Sequence, residues 1–284
     1  IISVSAPGSA TPGAPGDTVS EQVFDDTKAL ATSSATAIGT VSFGNGYRDP
    51  ALLAFTLDFT APTAAMVKPA PGVATNRWTL DTTVATQWSG SDTGGTGVKN
   101  YTVQRRGAAY NAAVPATYSA FQTATTATSA NYVGGTAARG TTQCFHVQAK
   151  DNAGNTGVYS ADACTAVPLQ QSQTGVGAPI TYSGTWVSTA QTLAYGGSYR
   201  QSTVTGNYLQ ITGVQARRLA LVVSKCGTCG SVSVTWTPNG GAAVSLGTVS
   251  LVSTTAAFKQ VVNLGTAAFA SVQTVTLSVP VCTS

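Results

Sequence analysis

Cys144-Phe-His-Val-Gln-Ala-Lys-Asp151-Asn-Ala-Gly-Asn155-Thr-Gly-Val-Tyr-Ser-Ala-Asp-Ala-Cys164 is the stretch that decides the fold of this chain. Phe145, Val147 and Ala149 alternate with Cys144, His146 and Gln148. A period of two puts the first set on one face of a strand and the second on the other. Asp151 to Asn155 then supplies turn chemistry: a glycine for positive φ, and Asx side chains that bond nearby backbone. A second extended run leads to Cys164. The stretch therefore predicts an antiparallel hairpin with a cysteine near each far end, closed by a Cys144–Cys164 disulfide. Closing a loop of this size stabilises a fold by about 3 kcal/mol.

The rest of the composition agrees with an all-β chain. The 284 residues are enough for two or three β domains. Only 8% of residues are charged, against about 25% in an average soluble domain. Hydroxyl groups and backbone keep such a chain soluble, as in extracellular β proteins. Low charge also weakens the usual protection of strand edges, as in subunits that bury surface against one another. No apolar run approaches the length of a membrane span. Residue 1 is not Met and no signal peptide precedes it, which fits a removed leader or a longer parent chain.

Charge is uneven along the chain. Residues 1–60 hold Asp17, Glu21, Asp25, Asp26, Asp49 and Asp58 against Lys28 and Arg48, a net of −4. Residues 61–168 carry a net of +3. Residues 169–284 carry Arg200, Arg217, Arg218, Lys225 and Lys259 and no acidic side chain. This is either drift in a low-charge protein or an acidic segment that docks on a basic surface, in cis or on a neighbour.

Four segments follow. Residues 1–60 begin with a Pro/Gly/Ser/Ala-rich arm and end in strand-like runs, 37–43 and Leu52-Leu-Ala-Phe-Thr-Leu-Asp-Phe59. They hold too few strands for a complete sandwich. Residues 61–168 read as one sandwich, with strands ending at Trp88 and carrying Tyr101 and Val103 on one face. Residues 169–180 read as a linker. Residues 181–284 read as a second all-β module of eight short β-branched strands, separated by turns at Gly196-Gly197, Gly206-Asn207 and Asn239-Gly240-Gly241. That spacing suggests a jelly-roll-like sandwich. No helix is expected.

The Asp-Asn-Ala-Gly-Asn hairpin resembles the last two strands of the fibronectin type III-like domains of secreted bacterial proteins, where an aromatic-x-Val-x-Ala-x-Asp-x-Ala-Gly-Asn run is common. Ala61-Pro62-Thr63 is similar to the start of such a domain, and Trp88 and Tyr101 match its core positions. The resemblance spans 61–168 and implies a folded extracellular module of immunoglobulin-like type. Arg217-Arg-Leu-Ala-Leu-Val-Val223 followed by Cys226-Gly-Thr-Cys229 resembles a C-terminal sandwich that follows such domains in secreted actinobacterial surface proteins.

Catalytic chemistry finds little support. The single histidine, His146, reads as a surface residue in mid-strand, and no Gly-x-Ser-x-Gly elbow is present. Residues 181–284 offer no side-chain carboxyl pair for glycoside hydrolysis. Cys226 and Cys229 have zinc-knuckle spacing, but no second ligand pair lies near in sequence. The redox reading needs a helix after the motif, so a structural disulfide is expected. Asp25-Asp26 and Asp151-Asn152 could join a calcium site, yet no full oxygen-ligand loop is present. No catalytic residue, metal or cofactor is expected. Cys282 is left over, either a free thiol or an intermolecular link. Trp186, Tyr195, Tyr199 and Tyr208 could form a platform for sugar rings, with core packing as the alternative. Arg105-Arg106 and Arg217-Arg218 are pairs rather than clusters, and a net charge of +4 is too thin for a nucleic-acid reader.

The expectation is a non-enzymatic, secreted structural protein of the cell surface or of an extracellular filament, with itself as partner. The alternative is a carbohydrate-binding accessory module or adhesin that meets polysaccharide. Residues 1–60 then either donate strands to a neighbouring subunit or are the tail of a preceding domain.

Overall fold

The computed structural model describes residues 35–36, 56–70, 78–173, 180–265 and 273–282. The expected strand 37–43 lies outside them, as do the Pro/Gly-rich arm and the first half, 52–55, of the 52–59 run. All regular structure described is β apart from two short 3-10 turns, Gly135–Ala138 and Tyr195–Gly197. No described helix is long and apolar enough to cross a membrane.

β1 (Ala35–Thr36) pairs with β2 (Thr56–Leu57). Next come β3 (Thr63–Lys68), β4 (Thr83–Ser91), β5 (Val98–Ala109), β6 (Ser119–Thr125), β7 (Ser129–Val133), β8 (Thr141–Asp151) and β9 (Ala163–Val167). They form a three-stranded sheet, β3-β4-β7, and a four-stranded sheet, β6-β5-β8-β9, antiparallel throughout. One core lies between them. Met66, Val84 and Trp88 come from the first sheet, and Tyr101, Val103, Phe145, Val147 and Ala149 from the second. Alternation explains this: at the centre of β4, β5 and β8 the inward positions are apolar except Thr86, whose hydroxyl donates to Ala130 O at 2.7 Å.

The chain enters and leaves this body at opposite ends. Val98 faces Asp151 at one end of the β5–β8 ladder, and Ala109 faces Thr141 at the other. Asp58 sits beside Asp151, whereas β9 ends at Val167 opposite Thr141. β8 is eleven residues long, so the two ends are about 33 Å apart.

The predicted hairpin departs from expectation in its second arm. Cys144 and Cys164 are directly opposed and disulfide-bonded, but β9 begins only at Ala163. Residues 156–162 run irregularly beside β8 instead: Lys150 and Thr156 form an isolated antiparallel bridge, and Gly157 N–H donates to Ala149 O at 3.0 Å. Gly157 lies so close to the 62–63 peptide that a Cβ there would sit 1.9 Å from Pro62 O, and Ser160 N–H donates to Val147 O at 2.8 Å.

The C-terminal body contains β10 (Ile180–Ser183), β11 (Val187–Ala190), β12 (Ser198–Gln201), β13 (Tyr208–Ala216), β14 (Leu219–Lys225), β15 (Ser231–Pro238), β16 (Val244–Ser250), β17 (Ala257–Leu264) and β18 (Gln273–Cys282). All eight strands read from the sequence are there. β10, at the border of the expected linker, is additional. Their arrangement is lopsided. β10-β13-β18-β15-β16 make a five-stranded sheet, while β14-β17 and β11-β12 are separate pairs. Val214, Leu219, Val232, Val234, Val249 and Leu264 form the core. Leu221, Trp236, Leu246 and Leu251 against it are only partly buried.

The two bodies touch through named side chains. Tyr110, just past β5, packs on the C-terminal core, and its carbonyl accepts from Gln215 N–H at 2.8 Å. Trp78 Nε1 donates to Asn263 Oδ1 at 2.9 Å. Pro168 and the start of the expected linker lie in this joint: Tyr195 OH donates to Pro168 O at 2.6 Å, and buried Gln170 accepts from Arg139 and donates to Gly196 O.

Candidate functional surfaces

Four places collect chemistry-bearing side chains. The first is the outer face of β8. Val147 and Phe145 face the core, so His146 faces outward, yet it is only 7% exposed. Tyr118 stacks on one side of its ring at 3.7 Å between centroids and Tyr159 on the other at 4.1 Å. Its Nε2 lies 3.0 Å from Gln104 Oε1, which as an acceptor fixes the proton on Nε2. Tyr118 OH donates to Asp162 at 2.7 Å, and Arg106 pairs with the same carboxylate while lying over the Tyr118 ring. The expected surface histidine is thus a covered one. The covering comes from Tyr118 and Tyr159 in irregular segments, which alternation within β8 cannot reveal.

Burial holds the His146 pKa below its usual value; Asp162 opposes this and Arg106 adds to it. The sign follows from linkage. The folded state prefers neutral imidazole, so this stabilisation is present above the unfolded pKa of about 6.5. It is lost as pH falls through the depressed folded value. NMR titration of the C–H protons of His146 should give a midpoint below about 6.5; a midpoint at or above it would refute the assignment.

The second place is the end where the chain enters. Asp58, Asp92 and Asp151 each bring one carboxylate oxygen within 4.8 Å of the others. Asp58 accepts from Thr96 N–H at 2.6 Å, Thr60 N–H at 2.9 Å and Thr96 Oγ1 at 2.9 Å. Its pKa is held below the usual carboxylate value, chiefly by the Thr96 N–H and then by Thr60 N–H. Asp92 accepts from Gly97 N–H at 2.7 Å. Asp151, with no exposed surface, accepts from Gly154 and Asn155 N–H at 2.6 and 2.8 Å. Asn155 Nδ2 ties Asp151 Oδ2 to Asp58 O. Chemically these are braces that hold three loops together. They are also the hard oxygen donors among the described residues that could hold a divalent cation. Asp151 was legible as a turn residue, but its neighbours Asp58 and Asp92 come from distant loops; Asp25 and Asp26 lie outside the described residues.

The third place contains the aromatic side chains of the C-terminal body. Trp186 packs edge-on against Tyr182 at 5.3 Å, and its Nε1 donates to Ser183 O at 3.0 Å. Tyr208 pairs with Ser183 across β10–β13 and is exposed. Arg200 lies over Tyr182 at 4.3 Å, so Tyr199, its neighbour in β12, points to the opposite face. Tyr195 is buried in the joint beneath Arg139. The structure thus brings Trp186 onto Tyr182 at the end of β10, while Tyr208, opposite Ser183 and not Tyr182, points to the other face of the sheet. It does not bring Tyr195 or Tyr199 there. Tyr182 and Arg200 are the members that sequence reasoning missed.

The fourth place is the β14–β17 pair. Its two outer edges have no neighbouring strand among the described residues. The turn beyond β14 is closed by the Cys226–Cys229 disulfide. Cys226 N–H donates to Leu251 O at 3.0 Å and Ser253 N–H to Cys226 O at 3.0 Å. The disulfide therefore anchors the 226–230 turn to the segment after β16, a structural role. Cys282 ends β18, and its thiol lies outside the described residues. No family model, curated protein or solved structure matches this chain.

Proposed function

We propose that this chain is a non-enzymatic, secreted structural protein that assembles with copies of itself through strand contacts, at a cell surface or in an extracellular filament. In this reading the N-terminal body is a fibronectin type III-like sandwich, for which the strand order β3-β4-β7 over β6-β5-β8-β9 is support. The C-terminal body is an incomplete jelly-roll-like sandwich. The observation that carries the reading is the two-stranded layer, β14–β17, set against a five-stranded sheet with both of its edges unpaired among the described residues. Unpaired edges are templates for another chain. Two disulfides fit an oxidising compartment, and 8% charge leaves few groups to oppose association.

The test is direct. Sedimentation velocity of the full chain over a range of concentrations, with negative-stain electron microscopy, should show concentration-dependent polymers. A monomer at every concentration would sink the reading. A second reading, attachment to polysaccharide, is favoured by one observation: Trp186 packs on Tyr182, over which Arg200 lies, at the end of β10. Binding of the monomeric chain to a glycan array, lost in Trp186→Ala, would support it.

A further inference from the structure

We propose that the outer edge of β14 accepts a strand from a second copy, and that this strand is residues 37–43. The inference rests on the self-association reading and names its contact.

β14 is the least protected edge of the C-terminal body. It runs Leu-Ala-Leu-Val-Val-Ser-Lys225 with no proline and one charge, at its end. Natural edges are guarded by charge, proline, bulges or brevity. β17 carries Lys259 at a positive φ of 55°. On β16, Gly247 N–H is taken by Ser245 Oγ at 3.1 Å. β10 has only four residues. β14 has none of these protections along its first five positions; its ladder with β17 is irregular only between Val223 and Lys225. A third strand beside it would widen the layer over a core in which Leu221, Trp236, Leu246 and Leu251 are only partly buried.

Residues 37–43, Ala-Ile-Gly-Thr-Val-Ser-Phe, match that edge. They number seven, as β14 does, and carry no charge. The segment around them is acidic: residues 1–60 have a net charge of −4. The acceptor is basic, with Arg217 and Arg218 immediately before β14, Lys225 at its end, and no acidic side chain anywhere in 169–284.

Chain geometry rules out the same copy as donor. Thr36 pairs with Thr56, two residues before Asp58, which holds Thr36 within about 13 Å of Asp58. Asp58 marks the end of the N-terminal body that is about 33 Å along β8 from the joint. β14 starts at that joint, where Asn263 pairs with Ala220 and receives Trp78. A strand that must lie along β14 from residue 37 onward cannot begin so far away. A second copy placed head to tail meets no such limit. Main-chain hydrogen bonds then give affinity, as in strand addition, and repetition builds an open filament unless the rotation closes.

Val41→Pro in the full chain tests this, since proline removes a main-chain donor at a position outside the described bodies. Sedimentation velocity should show polymer in the parent chain and a shift to monomer in V41P, with association at least about tenfold weaker. A labelled peptide of residues 35–45 should bind V41P, more weakly as salt is raised. The outward amides of β14 should exchange slowly in the parent polymer and faster in V41P. If V41P polymerises like the parent, the donor strand is wrong while self-association stands. If V41P is monomeric but β14 exchanges equally in both, the segment docks elsewhere and the β14 assignment falls. A parent chain that is monomeric throughout overturns the self-association reading, and this inference with it.

Discussion

Phe145→Ala should destabilise the N-terminal body by about 3–5 kcal/mol, the largest single-residue effect expected in this chain. Phe145 is fully buried and is the centre of an aromatic cluster. Phe121 meets it edge-to-face at 5.4 Å and Tyr132 at 6.1 Å, and those two meet each other at 6.3 Å. Truncation removes the apolar transfer term and leaves a cavity between two sheets that cannot both collapse onto it. It also removes two edge-to-face pairs, worth about 0.5–1.5 kcal/mol each. Domains are stable by only about 5–15 kcal/mol, so the variant should lie near the threshold of folding. Val158→Ser is the control. Val158 is 85% exposed, and an exposed substitution should cost less than about 0.5 kcal/mol. Urea unfolding followed by tryptophan fluorescence measures both, since Trp88 lies in the same core. A cost below about 1 kcal/mol for F145A would contradict the packing described.

Removing the Cys144–Cys164 disulfide as the double variant C144A/C164A should cost about 3 kcal/mol, because the bond closes a 20-residue separation in the unfolded chain. The segment it closes is unusually irregular. From 156 to 162 the chain keeps only an isolated bridge and scattered hydrogen bonds to β8 and places Tyr159 on His146, so little regular pairing holds it without the disulfide. Removing Cys226–Cys229 should cost less, since that loop spans a separation of only 3. The order of the two effects is the check: calorimetry that found C226A/C229A the more damaging would show that chain entropy is not what these bonds control.

A good part of this molecule could be read one residue after another. Alternation in 144–149 placed Phe145, Val147 and Ala149 on one face, and Tyr101 and Val103 likewise. The eight C-terminal strands were visible as β-branched runs between glycine turns. Both disulfides followed from cysteines set near strand ends or across a tight turn. These are local facts: side-chain direction in a strand has a period of two, and turns need particular residues. What covers a strand is not local. His146 read as a surface residue because its own strand turns it outward; only folding brings Tyr118 and Tyr159 over it. Asp58, Asp92 and Asp151 lie in three separate loops, and Tyr195, read as part of a sugar platform, is instead packed in the joint. The division of nine C-terminal strands into five, two and two is likewise a matter of which distant strands pair. The pairings that set this division, β13 with β18 and β15 with β18, join segments far apart in the chain, and their energy lies in contacts that no single segment contains. Strands and turns were therefore determined by the sequence alone, while the covered histidine, the carboxylate braces and the open edge of β14 were decided by the tertiary structure.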